Sequence, residues 1–273
     1  MRQFKFFLFH RSATAGRHYF CFRRKPRPAL LVLPKMKTST FRILAPCLFL
    51  AGFSTARAEG NLGVFTDHGD VGSVSKPGTA TFDPAAGTYT VGASGANMWA
   101  SVDAMQLVWK KMSGDFSIAA DIAFVGTSSQ PHRKACLVIR QNLNPGSPYV
   151  DVAQHGSGLT SIQFRAAPDG LTKEIECMTD SPTRVRLDRI GDTVYLSVGY
   201  AGGKPAPSGA SFKLAMADPV YVGLAVSAHD DNAFETAVFS NVELGQASPA
   251  AAAPQPGLKI ITLPSGDRRV TDH

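Results

Sequence analysis

The sequence predicts an all-β fold, a two-sheet antiparallel jelly-roll sandwich, on three observations. From Gly63 to about Leu244 the chain is a succession of short segments rich in β-branched and aromatic residues, Gly, Pro, Asn and Asp punctuate them, and no long stretch repeats its apolar residues at helical spacing. About a dozen strands with turn signals at this spacing point to packed antiparallel sheets and not to parallel α/β units, which need helical crossovers.

Taken in order, TATFD and TYTVGAS flank Pro84-Ala85-Ala86-Gly87. FSIAADIAF places Phe116, Ile118, Ala120, Ile122 and Phe124 on one face at period 2. KACLVIRQ, YVDVAQH, LTSIQFR, TKEIEC, TRVRLDRI, TVYLSVGY, VYVGLAVSAH and ETAVFSNVEL follow, each bounded by turn residues.

The middle of this series fixes its own register. If Gly156-Ser157-Gly158 is a three-residue loop, Asp151 faces Gln163 and Tyr149 faces Arg165, while Val150 and Val152 share a face with Ile162 and Phe164. A two-residue loop sets Asp151 against Ile162 and mixes polar with apolar residues on both faces, and such slips are penalised because they turn over every side chain. The three-residue loop is therefore expected, with Gly158 in the left-handed conformation that it requires. The same rule pairs Ile139 with Val150 and Leu137 with Val152, and across the Pro168-Asp169-Gly170 turn it pairs Gln163 with Glu174. Arg140, Tyr149, Asp151, Gln163, Arg165 and Glu174 then form one polar strip over four adjacent strands, expected to face solvent. Cys136 and Cys177 fall on opposite faces about three strands apart, roughly 14 Å, too far for a disulfide, so two free, largely buried thiols are expected.

Charge divides the chain. Residues 1–58 carry 12 of the 28 Lys and Arg and none of the 21 Asp and Glu, so the remainder holds 16 basic against 21 acidic residues, a net −5. The overall charge of +7 is thus no sign of a nucleic-acid surface. Residues 36–58, MKTSTFRILAPCLFLAGFSTARA, have a basic start, an apolar run and a small-x-small ending, which is the pattern of a secretory signal peptide cut after Ala58. Its apolar run is shorter than the roughly 20 residues of a membrane span, so no stable insertion is expected after processing. Residues 1–35 read as an upstream start-site artefact or a basic extension. The expected mature chain, Glu59–His273, is 215 residues long and periplasmic or extracellular, with one domain over 59–245. Residues 246–257 form a Pro/Ala linker, and 258–273 read as a strand and turn with no partner after it.

FTDHGDVGSVSKPGTATFDPAAGTYTVGASGANMW, LVWKKMSGDF, PHRKACLVIRQNL, SPYVDVAQHGSGLTSIQFR and VRLDRIGD together resemble the concanavalin A-like, laminin G-type jelly-roll domain of bacterial secreted proteins. The resemblance covers Gly63 to Leu244. In such proteins this domain commonly precedes TolB-like β-propeller repeats, and ITLPSGDRRV is similar to the opening strand of such a propeller. What the resemblance implies is the fold and the context; it supplies no catalytic residues.

The chemistry legible in the strip is that of sugar recognition. Arg140, Arg165, Asp151, Gln163 and Glu174 offer forked donors and acceptors for hydroxyl pairs, and Tyr149 offers an aromatic face for the C–H side of a ring. The same residues also read as a solvated sheet face laced with cross-strand ion pairs. The leading expectation is an exported, non-catalytic module that binds carbohydrate or another envelope polymer. A second is a carbohydrate-active hydrolase using Asp151 and Glu174, whose backbones lie about 9.6 Å apart, within the carboxylate spacing of inverting glycosidases. A third is a structural domain with a protein partner such as a propeller. Ser157 beside His155 lacks a separate base and an oxyanion partner and is read as a turn. The Glu-x-Asp-x-x-Glu signature of jelly-roll glucanases is missing. His68 with Asp67 and Asp70, His132, and His229-Asp230-Asp231 lack dedicated metal-ligand spacing, and Trp99 and Trp109 read as core or groove-edge aromatics. With no phosphate loop, dinucleotide fingerprint or basic-aromatic patch, neither a cofactor nor nucleic acid is expected.

Overall fold

A computed structural model describes residues 60–179 and 181–247, together with the backbone of 258–262 and 268–272. The segment predicted to be a signal peptide, the residues before it and most of the predicted Pro/Ala linker lie outside the described residues. Two seven-stranded antiparallel sheets make up the domain. The first contains β1 (Asp67–Val71), β6 (Met105–Met112), β15 (Val220–Ser227), β8 (Lys134–Arg140), β9 (Tyr149–His155), β10 (Thr160–Arg165) and β11 (Lys173–Glu176), in that spatial order. The second runs β14 (Ala206–Lys213), β13 (Thr193–Gly199), β12 (Arg184–Ile190), β7 (Phe116–Phe124), β16 (Glu235–Gly245), β3 (Thr88–Ala93) and β2 (Thr79–Asp83). A small hairpin, β4 (Met98–Trp99) with β5 (Val102–Asp103), crosses outside the first sheet, and β17 (Leu258–Thr262) pairs with β18 (Arg268–Asp272).

The predicted hairpin registers are those observed. Asp151 pairs with Gln163, Tyr149 with Arg165, Ile139 with Val150 and Gln163 with Glu174. Gly158 has φ 91° at the end of the three-residue loop, and its amide donates to the His155 carbonyl at 3.0 Å. The alternation drives Leu137, Ile139, Val150, Val152 and Ile162 into the sandwich, where they meet Ile118, Ala120, Val185 and Leu187 of the second sheet.

Three features depart from the sequence reading. Strands β1, β6 and β14 join the sheets although their segments show no clean alternation; β14 carries two bulky apolar residues at most and β6 ends in Lys110-Lys111-Met112. The tail strand β17 has a partner after all, because β18 folds back on it. The largest departure concerns the outer face of the first sheet. Residues 96–104, including β4 and β5, lie over it as a strap, and Met98, Met105, Leu107, Cys136, Val138, Tyr149 and Ala153 form a second core beneath. Strands β8, β9 and β10 are consequently buried on both faces along their whole length.

Candidate functional site

The polar strip comes together as predicted but does not face solvent. Arg140, Tyr149, Asp151 and Arg165 are each 0% exposed and Gln163 is 1% exposed; only Glu174, on the edge strand β11, is half-buried. The cause is Asp103 of the strap, a residue in a segment without periodicity. Arg165 donates to Asp103 from Nη1 at 2.9 Å and from Nη2 at 2.7 Å, and Arg140 Nη1 reaches the same carboxylate at 3.3 Å. Most of the remaining guanidinium hydrogens go to backbone, and Arg165 Nη2 also donates to Thr172 Oγ1 at 3.3 Å. Arg140 donates to the carbonyls of Asn142 and Asn144, both at 2.7 Å, and Arg165 donates to Gly170, Pro145 and Ser147 at 3.0 to 3.2 Å. Tyr149 lies under the Arg165 guanidinium, 5.0 Å from ring centroid to Cζ, with its hydroxyl 3.2 Å from Thr172 Oγ1. These groups tie the strap and two loops to the sheet and have no donors left for a ligand.

Asp151 is sealed in the same layer. Burial pushes its carboxyl up to about 8, against the pull of the Lys134 ammonium. The Gln163 backbone amide and the Cys136 thiol act weakly toward the ionised form, and neither reaches good hydrogen-bond geometry with the carboxyl oxygens. The carboxylate pair proposed for hydrolysis is therefore split, with Glu174 on an open groove and Asp151 under the strap.

The open remainder of the face is a groove of about 310 Å³ where the strap ends. Its floor combines Lys134 paired with His155, two rows along the same face from Asp151, with Gln163 and Glu174 of the Asp151 row. Lys134 Nζ donates to Asn97 Oδ1 at 2.9 Å, the Met98 carbonyl at 3.0 Å and Gln163 Oε1 at 3.1 Å, and sits 5.2 Å from the centroid of the Trp99 ring. Burial lowers the Lys134 pKa, with Asp151 opposing. Gln163 Nε2 donates to Glu174 Oε2 at 3.3 Å, which also accepts from Ser161 Oγ at 3.1 Å.

His155 Nδ1 lies 3.0 Å from the Leu159 carbonyl. A carbonyl only accepts, so the neutral ring carries its proton on Nδ1 and presents Nε2 as an acceptor, 3.4 Å from Gln163 Nε2. Burial, then the Lys134 charge, hold His155 down to about 4, so it is neutral at physiological pH. His132 and His229 close one side of the groove, their ring centroids 5.2 Å apart and His132 6.2 Å from His155. Among the described residues no group of three or more His, Cys, Asp or Glu is arranged to hold a metal ion.

Of the predicted strip, then, Gln163 and Glu174 line the groove, while Arg140, Tyr149, Asp151 and Arg165 do not. Lys134 and His155 were within reach of the sequence, since extending the same pairing by four residues puts them on the strip's face. Asn97, Trp99 and Asp103 were not, because nothing periodic fixes the strap.

No protein-family model matches the sequence, and no curated protein matches it. In structure the chain is similar to a functionally unknown protein from Saccharomyces cerevisiae, with TM-score 0.51 and 11% identity over 64% of this chain and 95% of that one. It is also similar to lectin II from Ulex europaeus, with TM-score 0.42 and 8% identity over 63% of this chain and 91% of the lectin. A family 7 alginate lyase, A1-II′, aligns with TM-score 0.40 and 10% identity over 62% and 81% of the two chains. The architecture is a two-sheet antiparallel jelly-roll sandwich, the fold class the sequence predicts. At these identities the likeness is one of fold alone.

Proposed function

We propose that the chain is exported and that its jelly roll is a non-catalytic module binding carbohydrate or another cell-envelope polymer, at the groove beside Trp99 and not at the arginine strip. The observation that carries this reading is the composition of the groove. A partly exposed indole stands beside three imidazoles, a carboxylate and two side-chain amides, with His155, Gln163, Glu174 and Asn97 held by hydrogen bonds. That pairing of an aromatic face with fixed hydrogen-bonding groups is what a sugar ring requires. Glu174 Oε1 takes no hydrogen bond from any described residue, and His155 Nε2 has only the long contact to Gln163, so acceptors for hydroxyl groups remain.

The hydrolase reading has less support, since Asp151 does not line the groove and a general acid must come within reach of the leaving oxygen. The proposal of a periplasmic or extracellular location rests on the pattern of residues 36–58, and a propeller partner rests on the sequence resemblance alone. A glycan array probed with the exported protein tests the binding role: retention on defined glycans, lost with Trp99→Ala, is expected. An array without a single retained glycan contradicts it.

A further inference from the structure

A second cavity, of about 550 Å³, lies on the other side of the strap. Its walls are apolar and small, from Ala96, Ala100, Val102, Ala104 and Pro145, with Ser73 and Asp231 at the rim. Asn97 and Trp99 line this cavity and the groove alike, so the strap borders both spaces at Trp99. A second bridge is independent of the strap: His229 borders the groove and Asp231, two residues later, borders the cavity. Each space lies within the range of roughly 300–1,000 Å³ found for small-molecule sites.

The two halves differ in chemistry. The groove offers imidazoles, amides and a carboxylate. The cavity offers aliphatic walls, the Asp231 carboxylate as an acceptor, since the Asp103 carboxylate that also lines it is taken up by Arg140 and Arg165, and donors from Ser73 and the Asn97 amide nitrogen, whose oxygen is already taken by Lys134. A hexose bearing only hydroxyl groups leaves those aliphatic walls without a complement, and an unmatched polar surface against them costs affinity. A methyl group next to an amide N–H and carbonyl fits both the walls and the rim. Val102 is 57% exposed, an apolar side chain kept in contact with water beside this cavity.

From this continuity we propose that the site takes an oligomer rather than a single sugar, an N-acetylated amino-sugar chain that crosses Trp99, with one ring in the groove and an acetamido group in the apolar cavity. The inference rests on the carbohydrate-binding reading of the groove and narrows it to chain length and substituent.

Isothermal titration of the exported protein with three probes tests it: the N-acetylglucosamine trimer, the N-acetylglucosamine monomer, and cellotriose, which has hydroxyl groups where the first trimer has acetamido groups. The acetylated trimer is expected to bind at least tenfold more tightly than either other probe. Val102→Asp, which puts a charge on the cavity wall alone, is expected to erase that preference. Ser73→Trp, which fills the cavity from its exposed rim, is expected to do the same, so the outcome does not depend on the folding of one variant. Equal binding of the two trimers, equal binding of monomer and trimer, or a preference that survives both substitutions overturns the inference while leaving the glycan reading in place. Failure of all three probes together with an empty glycan array overturns both.

Discussion

Single residues carry most of what distinguishes this sandwich from one with an open polar face. Arg165 is a fully buried cation whose planar fork meets Asp103 with two parallel bonds and three loops with the rest. Lysine offers a point charge and cannot reproduce that fork. Arg165→Lys is therefore expected to destabilise the fold by about 3 to 5 kcal/mol, the range for breaking a buried ion pair, read from the urea midpoint. A midpoint unchanged from wild type would show that the cluster is not what holds the strap. Asp151 and His155 make stability depend on pH in opposite senses. Asp151, at about 8 when folded against about 3.9 when unfolded, keeps a proton that the unfolded chain has released, so its contribution falls as pH rises between those values. His155, at about 4 when folded against about 6.5 unfolded, does the reverse, and its contribution falls as pH drops through that window. The two slopes oppose each other below pH 6.5, and above it Asp151 acts alone. Unfolding free energy is expected to decline by about 1 to 2 kcal/mol between pH 6.5 and 8, and Asp151→Asn should flatten that decline. Urea titrations at the two pH values check this, and an identical decline in the variant would mean that Asp151 is ionised throughout.

At the scale of elements, the central meander was legible and the strap was not, for a physical reason. The period-2 patterns of β8, β9 and β10, joined by glycine-bounded turns, admit one register in which polar and apolar residues separate, and β-pairing then fixed which side chains share a face. What covers a face is a separate matter. Strands with a buried polar face and a solvated polar face have the same alternation, and the residue that decides between them, Asp103, lies about 40 positions upstream of Arg140 in an irregular stretch. Arginine at two positions of one strip was itself a signal of a buried anion, since forked guanidiniums suit buried pairs. The strap should behave as a unit, tied by Asp103 at one end and by Lys134 bonded to Asn97 and Met98 at the other. In Asp103→Asn, amide exchange over residues 96–104 is expected to accelerate well before that of β7 and β12, and uniform acceleration across the domain would contradict this. The meander also separates the cysteines as predicted. Both are free, Cys136 buried and Cys177 half-buried, so the expectation of two largely buried thiols holds for the first alone. Native alkylation should label Cys177 first and Cys136 only on unfolding; simultaneous labelling would show that the second core opens.

At the scale of the whole molecule, the two sheets divide the work. The second sheet supplies one side of the sandwich core, and the central strands of the first are packed on both faces, beside the groove where the strap ends. The sequence predicted the sandwich, the sheet that bears the site and two of the groove's residues, Gln163 and Glu174, and the same pairing extended reaches Lys134 and His155; Asn97, Trp99, His132 and His229 come from loops and the strap meeting over that sheet, which local pattern does not encode. If residues 36–58 act as a signal, intact mass of the exported protein should place its N-terminus at Glu59, and a retained upstream segment would refute export by that route. The central claim is that ligand contact belongs to the groove and the arginine cluster belongs to the architecture. Its most direct test measures glycan affinity and urea midpoint together in Trp99→Ala, Arg165→Lys and, as a control on the second sheet, Arg186→Ala. The account predicts that Trp99→Ala lowers affinity tenfold or more with the midpoint nearly unchanged, that Arg165→Lys lowers the midpoint while its folded fraction keeps wild-type affinity, and that Arg186→Ala leaves affinity unchanged. Loss of affinity in folded Arg165→Lys alongside full affinity in Trp99→Ala would contradict it.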